Sequence, residues 1–141
     1  GLEIEAAGRL TPDWEVFAGA ARMRAEIDAA TGSQANTLGK IPLNTPGYTA
    51  SLWTVYKLSG QWKIGGGVEA VGKRYGNATN SVEVPGYTRA DAMLSYQRQG
   101  VQLKLNVLNL ANRRYYEGVY QGHVIPGTAR NVQLTLEYKF F

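Results

Sequence analysis

Cysteine is missing altogether from this 141-residue sequence, and histidine occurs once, at His123. The first absence excludes disulfides and thiolate metal sites, without choosing between a reducing and an extracytoplasmic compartment. The second excludes a multi-histidine metal centre, and a serine–histidine triad around His123 has no placeable serine. No metal site, directly bound cofactor or enzymatic activity is therefore expected. No apolar run approaches the ~20 residues of a membrane-spanning helix. Gly1 brings neither an initiator methionine nor a basic and then apolar leader, so the sequence reads as a processed chain or a piece of a longer one. No linker interrupts it, and residues 1–141 read as a single unit. The formal net charge of +4 would permit nucleic-acid binding, but the basic residues are dispersed among acidic ones and no such partner is expected. Gly65, Gly66 and Gly67 lack the lysine and following helix of a phosphate loop, and read instead as a bend or close approach within a strand.

What is present is alternation with a period of two, the mark of a strand with two unlike faces. In "VQLKLNVLN", Val101, Leu103, Leu105 and Val107 oppose Gln102, Lys104 and Asn106. In "NVQLTLEYKFF", Val132, Leu134, Leu136, Tyr138 and Phe140 oppose Gln133, Thr135, Glu137 and Lys139. Similar patterns set Leu2 and Ile4 against Glu3 and Glu5, and Ala90, Ala92 and Leu94 against Arg89 and Asp91. Seven strands are predicted, at 2–10, 14–28, 47–58, 61–75, 86–98, 101–116 and 130–141. In "WEVFAGAARMRAEI" either phase would serve, so that segment has no assigned face.

The connections alternate in length. Tight turns fall at "TPD", "SGQ" and "QG"; longer loops fall at 29–46, 76–85 and 117–129. One rim of turns and one of loops is the layout of an antiparallel up-and-down transmembrane β-barrel, with short periplasmic turns and longer extracellular loops. Trp14, Tyr56, Trp62, Tyr96 and Tyr138 lie near the turns, and Tyr48, Tyr75, Tyr87, Tyr115 and Tyr116 beside the loops, as two interfacial girdles would. Glu3, Glu5, Lys63, Glu69, Lys73, Lys104, Glu137 and Lys139 then face a wet lumen. A soluble β-sandwich binding ligands through the three long loops is the alternative, since it too alternates along seven strands. Bacterial single-chain barrels have even strand numbers, so seven strands predict further strands upstream, or pairing with other chains into a multi-chain pore.

Several segments are familiar. "GLEIEAAGRLTPDWEVFAGA", "IPLNTPGYTASLWTVYKL", "GGGVEAVGKRYGN", "VPGYTRADAMLSY" and "LKLNVLNLANRRYYEG", ahead of a terminal aromatic strand, resemble the C-terminal part of the barrel of TonB-dependent siderophore receptors. The most specific pieces are Val84-Pro85-Gly86-Tyr87 with Asp91, and Asn106 to Leu110 followed by Asn112, Tyr115 and Tyr116. The resemblance implies about seven strands of a larger, 22-stranded barrel in the outer membrane of a Gram-negative bacterium. It implies a ferric siderophore as the ligand transported by the full receptor. It also implies as partners the N-terminal barrel strands and the plug, absent here, and the TonB complex through the missing N-terminal part alone. Recognition would fall to aromatic and basic side chains of the loops and upper lumen: Arg74, Tyr75, Arg113, Arg114, Tyr115, Tyr116, Tyr120 and His123. The competing role for the same residues is contact with outer-membrane lipid and lipopolysaccharide. A terminal aromatic is the mark that assembly machinery reads in such strands, and either Phe140 or Phe141 could supply it.

Overall fold

The computed structural model describes residues 1–120 and 122–140; the question of Phe141 falls outside them. Along the chain run β1 (Leu2–Thr11), β2 (Trp14–Arg22), a 3-10 turn (Gly32–Thr37), β3 (Tyr48–Lys57), β4 (Trp62–Val71), β5 (Arg74–Tyr75) and β6 (Glu83–Val84). Then come β7 (Tyr87–Arg98), β8 (Val101–Leu108), β9 (Tyr116–Tyr120), β10 (His123–Pro126) and β11 (Asn131–Tyr138). Seven of these form one antiparallel sheet in the order β1-β2-β3-β4-β7-β8-β11, so each strand pairs with the next long one. The small hairpins β5–β6 and β9–β10 stand in the long connections. Among the described residues no helix is long and apolar enough to cross a membrane, which says nothing of crossing with strands.

Register turns alternation into two faces. Ile4, Ala20, Ala50, Ala70 and Thr88 form one row across five strands, and Ile64, Leu94, Leu105 and Leu134 another. This face is apolar and bare: Leu134 exposes 71% of its surface and Leu2, Ile4 and Leu136 similar shares. The opposite, inner face carries Glu3, Glu5, Thr49, Ser51, Lys63, Arg89, Asp91, Lys104 and Thr135 in the intervening register. The ambiguous strand is settled by its partners, because Val16 and Ala18 share rows with Thr54 and Leu52 on the apolar face. Phe17 therefore joins Trp53 on the inner one.

The glycine run fits this packing. A Cβ on Gly67 would lie 2.3 Å from the Leu52 carbonyl oxygen and 2.6 Å from the Trp53 ring. Only a residue without one lets the indole lie flat across β4.

The turns at one rim are as tight as their sequence demands. Gln99 and Gly100 both take positive φ, 46° and 81°, the conformation of a two-residue I′ hairpin whose twist matches that of the strands. At the other rim three strands stop earlier than their periodicity suggests. β2 ends at Arg22 rather than 28, β4 at Val71 rather than 75, and β8 at Leu108 rather than 116. The last stop has a clear cause: Asn109 and Asn112 adopt φ of 53° and 48°, which no strand accommodates.

The aromatics also divide differently from expectation. Trp14, Tyr56, Trp62, Tyr96 and Tyr138 do form a girdle on the apolar face beside the turns, where Trp14 pairs with Tyr56 and the Trp62 and Tyr96 rings sit 4.7 Å apart. At the loop rim only Tyr48 takes that outward phase within a strand. Tyr87 has the inner phase and Tyr115 is buried against it, their ring centroids 4.5 Å apart. Two of the five aromatics expected in the second girdle thus form an internal contact instead.

Candidate functional site: the crown of loops

The buried apolar side chains of the described residues, Val71, Val84, Tyr115 and Val119, all lie at the loop rim. They form a small core under a crown in which the long connections grip one another. Asn80 donates from its amide to the Ile41 carbonyl and accepts from the Ile41 N–H, each at 2.8 Å. The Asn44 N–H donates to the Tyr75 carbonyl at 3.0 Å, and the Gly122 N–H to the Gly76 carbonyl at 3.2 Å.

Arg74 is the hub. Its side chain is buried, and it donates to Asn44 Oδ1 at 3.3 Å, to the Glu117 carbonyl at 2.7 Å and to the Tyr116 carbonyl. One guanidinium thereby ties three connections together while lying 5.9 Å from the Tyr87 ring centre. A buried cation without a carboxylate is tolerable only when hydrogen bonds replace its hydration; the Asn44 amide and two main-chain carbonyls do so at its two terminal nitrogens, while Nε has no partner among the described residues.

A second network joins the crown to the wall. Arg89, on the inner face, contacts Glu69 at 3.1 Å and Asp91 at 3.3 Å and donates to the Tyr115 hydroxyl at 3.0 Å. Asp91 in turn accepts from the Asn109 N–H at 2.7 Å. Asn109 uses its whole amide: it donates to the Arg113 and Thr128 carbonyls and accepts from the Arg113 N–H. Tyr115 lies on Gly127, where a Cβ would fall 2.1 Å from the ring. The spacing of Tyr87, Asp91, Asn109 and Tyr115 in the sequence is therefore the spacing of one closed contact.

The eight sequence candidates separate into two groups. Arg74 and Tyr115 are buried and engaged as above, and Tyr75 is half-buried in β5 with the Lys73 ammonium 5.8 Å from its ring. Lys73 also pairs with Glu83 at 2.7 Å; that hydrogen bond, its charge and Tyr75 hold the amine above its ordinary range. Arg113, Arg114, Tyr116, Tyr120 and His123 are exposed. Arg114, Tyr116 and Arg113 line a cleft with Pro126 and Gly127, and Arg113 also borders a groove of about 1220 Å³ with Arg22, Arg24, Lys73 and Tyr48. Tyr120 and His123 flank the tip of the β9–β10 hairpin, facing each other in register.

Sequence reasoning missed Arg89, Asn44 and Asn80 as organising residues. Tyr87, Asp91, Asn109 and Tyr115 were signalled through the two motifs that contain them. Among the described residues no group of three or more potential metal ligands occurs.

Comparison with known proteins supplies the family. Residues 1–110 match the model of the TonB dependent receptor-like, beta-barrel family. The chain is 32% identical over 151 aligned positions to the probable TonB-dependent receptor BfrD of Bordetella pertussis, covering 99% of this chain and 20% of that protein. It is 32% identical over 149 positions to the ferrioxamine receptor of Yersinia enterocolitica, with the same coverage. The crystal structure of the siderophore receptor PiuA from Acinetobacter baumannii superposes with a TM-score of 0.90 at 30% identity, over 98% of this chain and 21% of that one. This chain thus spans about a fifth of the length of the relatives it matches. A bare apolar face, a polar inner face and a braced crown are the wall and loops of an outer-membrane barrel, and the chain belongs to the TonB-dependent receptor β-barrel family.

Proposed function

We propose that this chain is the C-terminal section of the barrel of a receptor that imports ferric siderophores, and that it supplies wall and ligand-contacting loops. The observation that carries the reading is the separation of the crown into buried braces and exposed cationic and aromatic tips. Arg74 and Tyr115 hold the base of the β9–β10 hairpin and Tyr75 joins the neighbouring connections, while Arg113, Arg114, Tyr116, Tyr120 and His123 meet the ligand. Bulky anionic chelates with aromatic groups suit such tips through charge-assisted hydrogen bonds and cation–π contact. The role is binding and passage rather than catalysis.

The remaining partners belong to the whole receptor. The open edges of β1 and β11 pair with other strands of the barrel, because unpaired backbone groups in lipid cost several kcal/mol each. A plug from the N-terminal part closes the lumen and carries the contact to TonB. Lipopolysaccharide meets the outward basic residues of the loop rim, Arg22 among them.

Deleting 117–129 from the full-length receptor tests the proposal. Barrel assembly, read by heat-modifiable gel migration, stays intact while uptake of the ferric siderophore is lost. Unchanged uptake by the deletion variant would refute the loop's role.

A further inference from the structure

On the outward face, beside the turn-side girdle, the apolar surface is indented. Trp14, Tyr56 and Ile64 stand in one row across β2, β3 and β4, and the next row towards the loops runs Val16, Thr54, Gly66 and Ala92. The step from large to small side chains leaves a groove of about 520 Å³ lined by Trp14, Thr54, Tyr56, Ile64, Gly65 and Gly66. Clefts that hold small molecules span roughly 300–1,000 Å³.

The packing of the chain gives no reason for the floor of this groove. A Cβ on Gly65 would lie 3.0 Å from the Met93 methyl and 3.2 Å from the Thr54 carbonyl oxygen, and Gly67 is held to glycine by Leu52 and Trp53. At Gly66 the nearest atom to such a Cβ is the Asp91 carbonyl oxygen at 3.4 Å, an ordinary contact, and its φ is not positive. Glycine weakens a strand relative to alanine, so what Gly66 preserves is the open space above it.

The sides of the groove are fixed and suited to hydrocarbon. Trp14 donates from Nε1 to the Thr54 hydroxyl, which in turn donates to the Glu15 carbonyl at 3.1 Å. A tryptophan at a membrane interface ordinarily keeps its polar edge wet. Here the indole N–H finds its partner within the sheet, so an apolar chain can cover the whole ring without stranding a donor. Thr54, the polar side chain of the floor, is satisfied by the same pair of bonds.

A charge stands at the level of the headgroups. Arg98 takes the outward phase of β7 one row past Trp62 and Tyr96, is exposed, and makes no ion pair among the described residues. It lies about 13 Å along β7 from Leu94, the register partner of Ile64, within the ~15 Å of hydrocarbon in one leaflet. The tight turns mark the periplasmic rim, where the leaflet is glycerophospholipid. We propose that the groove seats one acyl chain of a periplasmic-leaflet phospholipid whose phosphate meets Arg98. The groove is continuous with the face that hydrocarbon already covers, and it differs from that face in having rigid sides and a floor kept clear. The inference rests on the outer-membrane barrel alone and is independent of the cargo.

The test uses the full-length receptor, stripped of lipid by detergent exchange and titrated with palmitoyl-oleoyl phosphatidylglycerol, with bound lipid counted by native mass spectrometry. One phosphatidylglycerol is expected to bind saturably. Gly66→Leu, which fills the groove, weakens that binding about tenfold, whereas Ala70→Leu, which adds bulk to the same face of β4 outside the groove, leaves it unchanged. Arg98→Gln weakens it about fivefold, the effect of one basic residue at a membrane surface. Heat-modifiable migration confirms assembly of each variant. Equal binding by Gly66→Leu and the unaltered receptor overturns the site, and so does equal loss in Gly66→Leu and Ala70→Leu, which would mean unspecific lipid. A second receptor copy or another protein released by Gly66→Leu also overturns it, by giving the groove a different occupant. Unchanged binding by Arg98→Gln overturns the headgroup contact. Should Gly66→Leu not assemble, dibrominated phosphatidylglycerol reads the site directly: it quenches a fluorescence component that saturates at one equivalent and is missing from Trp14→Phe. Quenching that never saturates overturns the proposal.

Discussion

Leu134 in the wall exposes 71% of its surface, and Val84 in the crown 2%. Both are aliphatic residues in β-strands of one chain. In the wall, hydrogen bonds between long strands hold the shape and the apolar side chains point away from any protein neighbour; lipid is their solvent. In the crown the strands are short, Val84, Tyr115 and Val119 turn inward, and buried polar groups such as Arg74 and Asn109 fasten the connections. The wall therefore depends on what surrounds it. The crown depends on its own contacts, as a small water-soluble domain would.

A charge placed on each region separates the two most strongly. Leu52→Arg, at mid-height on the apolar face, is expected to destabilise the receptor in bilayers by ~2–4 kcal/mol, the range measured for midplane arginine in such barrels. Chemical unfolding in lipid vesicles reads this, and a loss below about half a kcal/mol would mean that this face does not meet hydrocarbon. Next in size, Arg74→Met removes three hydrogen bonds from a charged donor and is expected to cost the crown ~2 kcal/mol. The loss appears as faster hydrogen exchange and proteolysis in 109–130, with unchanged global unfolding. A fall in global stability instead would show that wall and crown unfold as one unit. The smallest effect on stability is expected from Tyr120→Ala with His123→Ala, within about 0.5 kcal/mol for exposed positions. On the proposed function the same pair weakens siderophore binding by about tenfold. Titration calorimetry on the folded receptor distinguishes ligand-contacting tips from mere surface.

The pattern of legibility follows the same division. The wall could be read because a strand has a fixed two-residue period, so "VQLKLNVLN" reports its two faces without knowledge of its neighbours. Where the period was silent, in "WEVFAGAARMRAEI", only the register with β3 assigned Phe17 to the inner face. The crown resisted because its logic is not periodic. That 101–116 breaks at Asn109 depends on a left-handed conformation stabilised by Arg113 close by and by Asp91 and Thr128 from elsewhere in the chain. The β9–β10 hairpin lay hidden in a segment expected to be loop, although Gly122 at its turn, with φ of 81°, was a signal.

The candidate site shows the limit most clearly. Residue chemistry alone placed Arg74 and Tyr120 in one class, and the fold gave the first to three carbonyl acceptors and left the second 63% exposed. By itself the sequence determined an antiparallel sheet with unlike faces, one rim of tight turns and one of long connections, because these follow from backbone geometry and local side-chain period. Only the tertiary structure decided which loop-side aromatics face outward and which stack inside, and which cations are buried as braces and which stay exposed. Those outcomes depend on distances between residues up to 43 positions apart, and no local period encodes them.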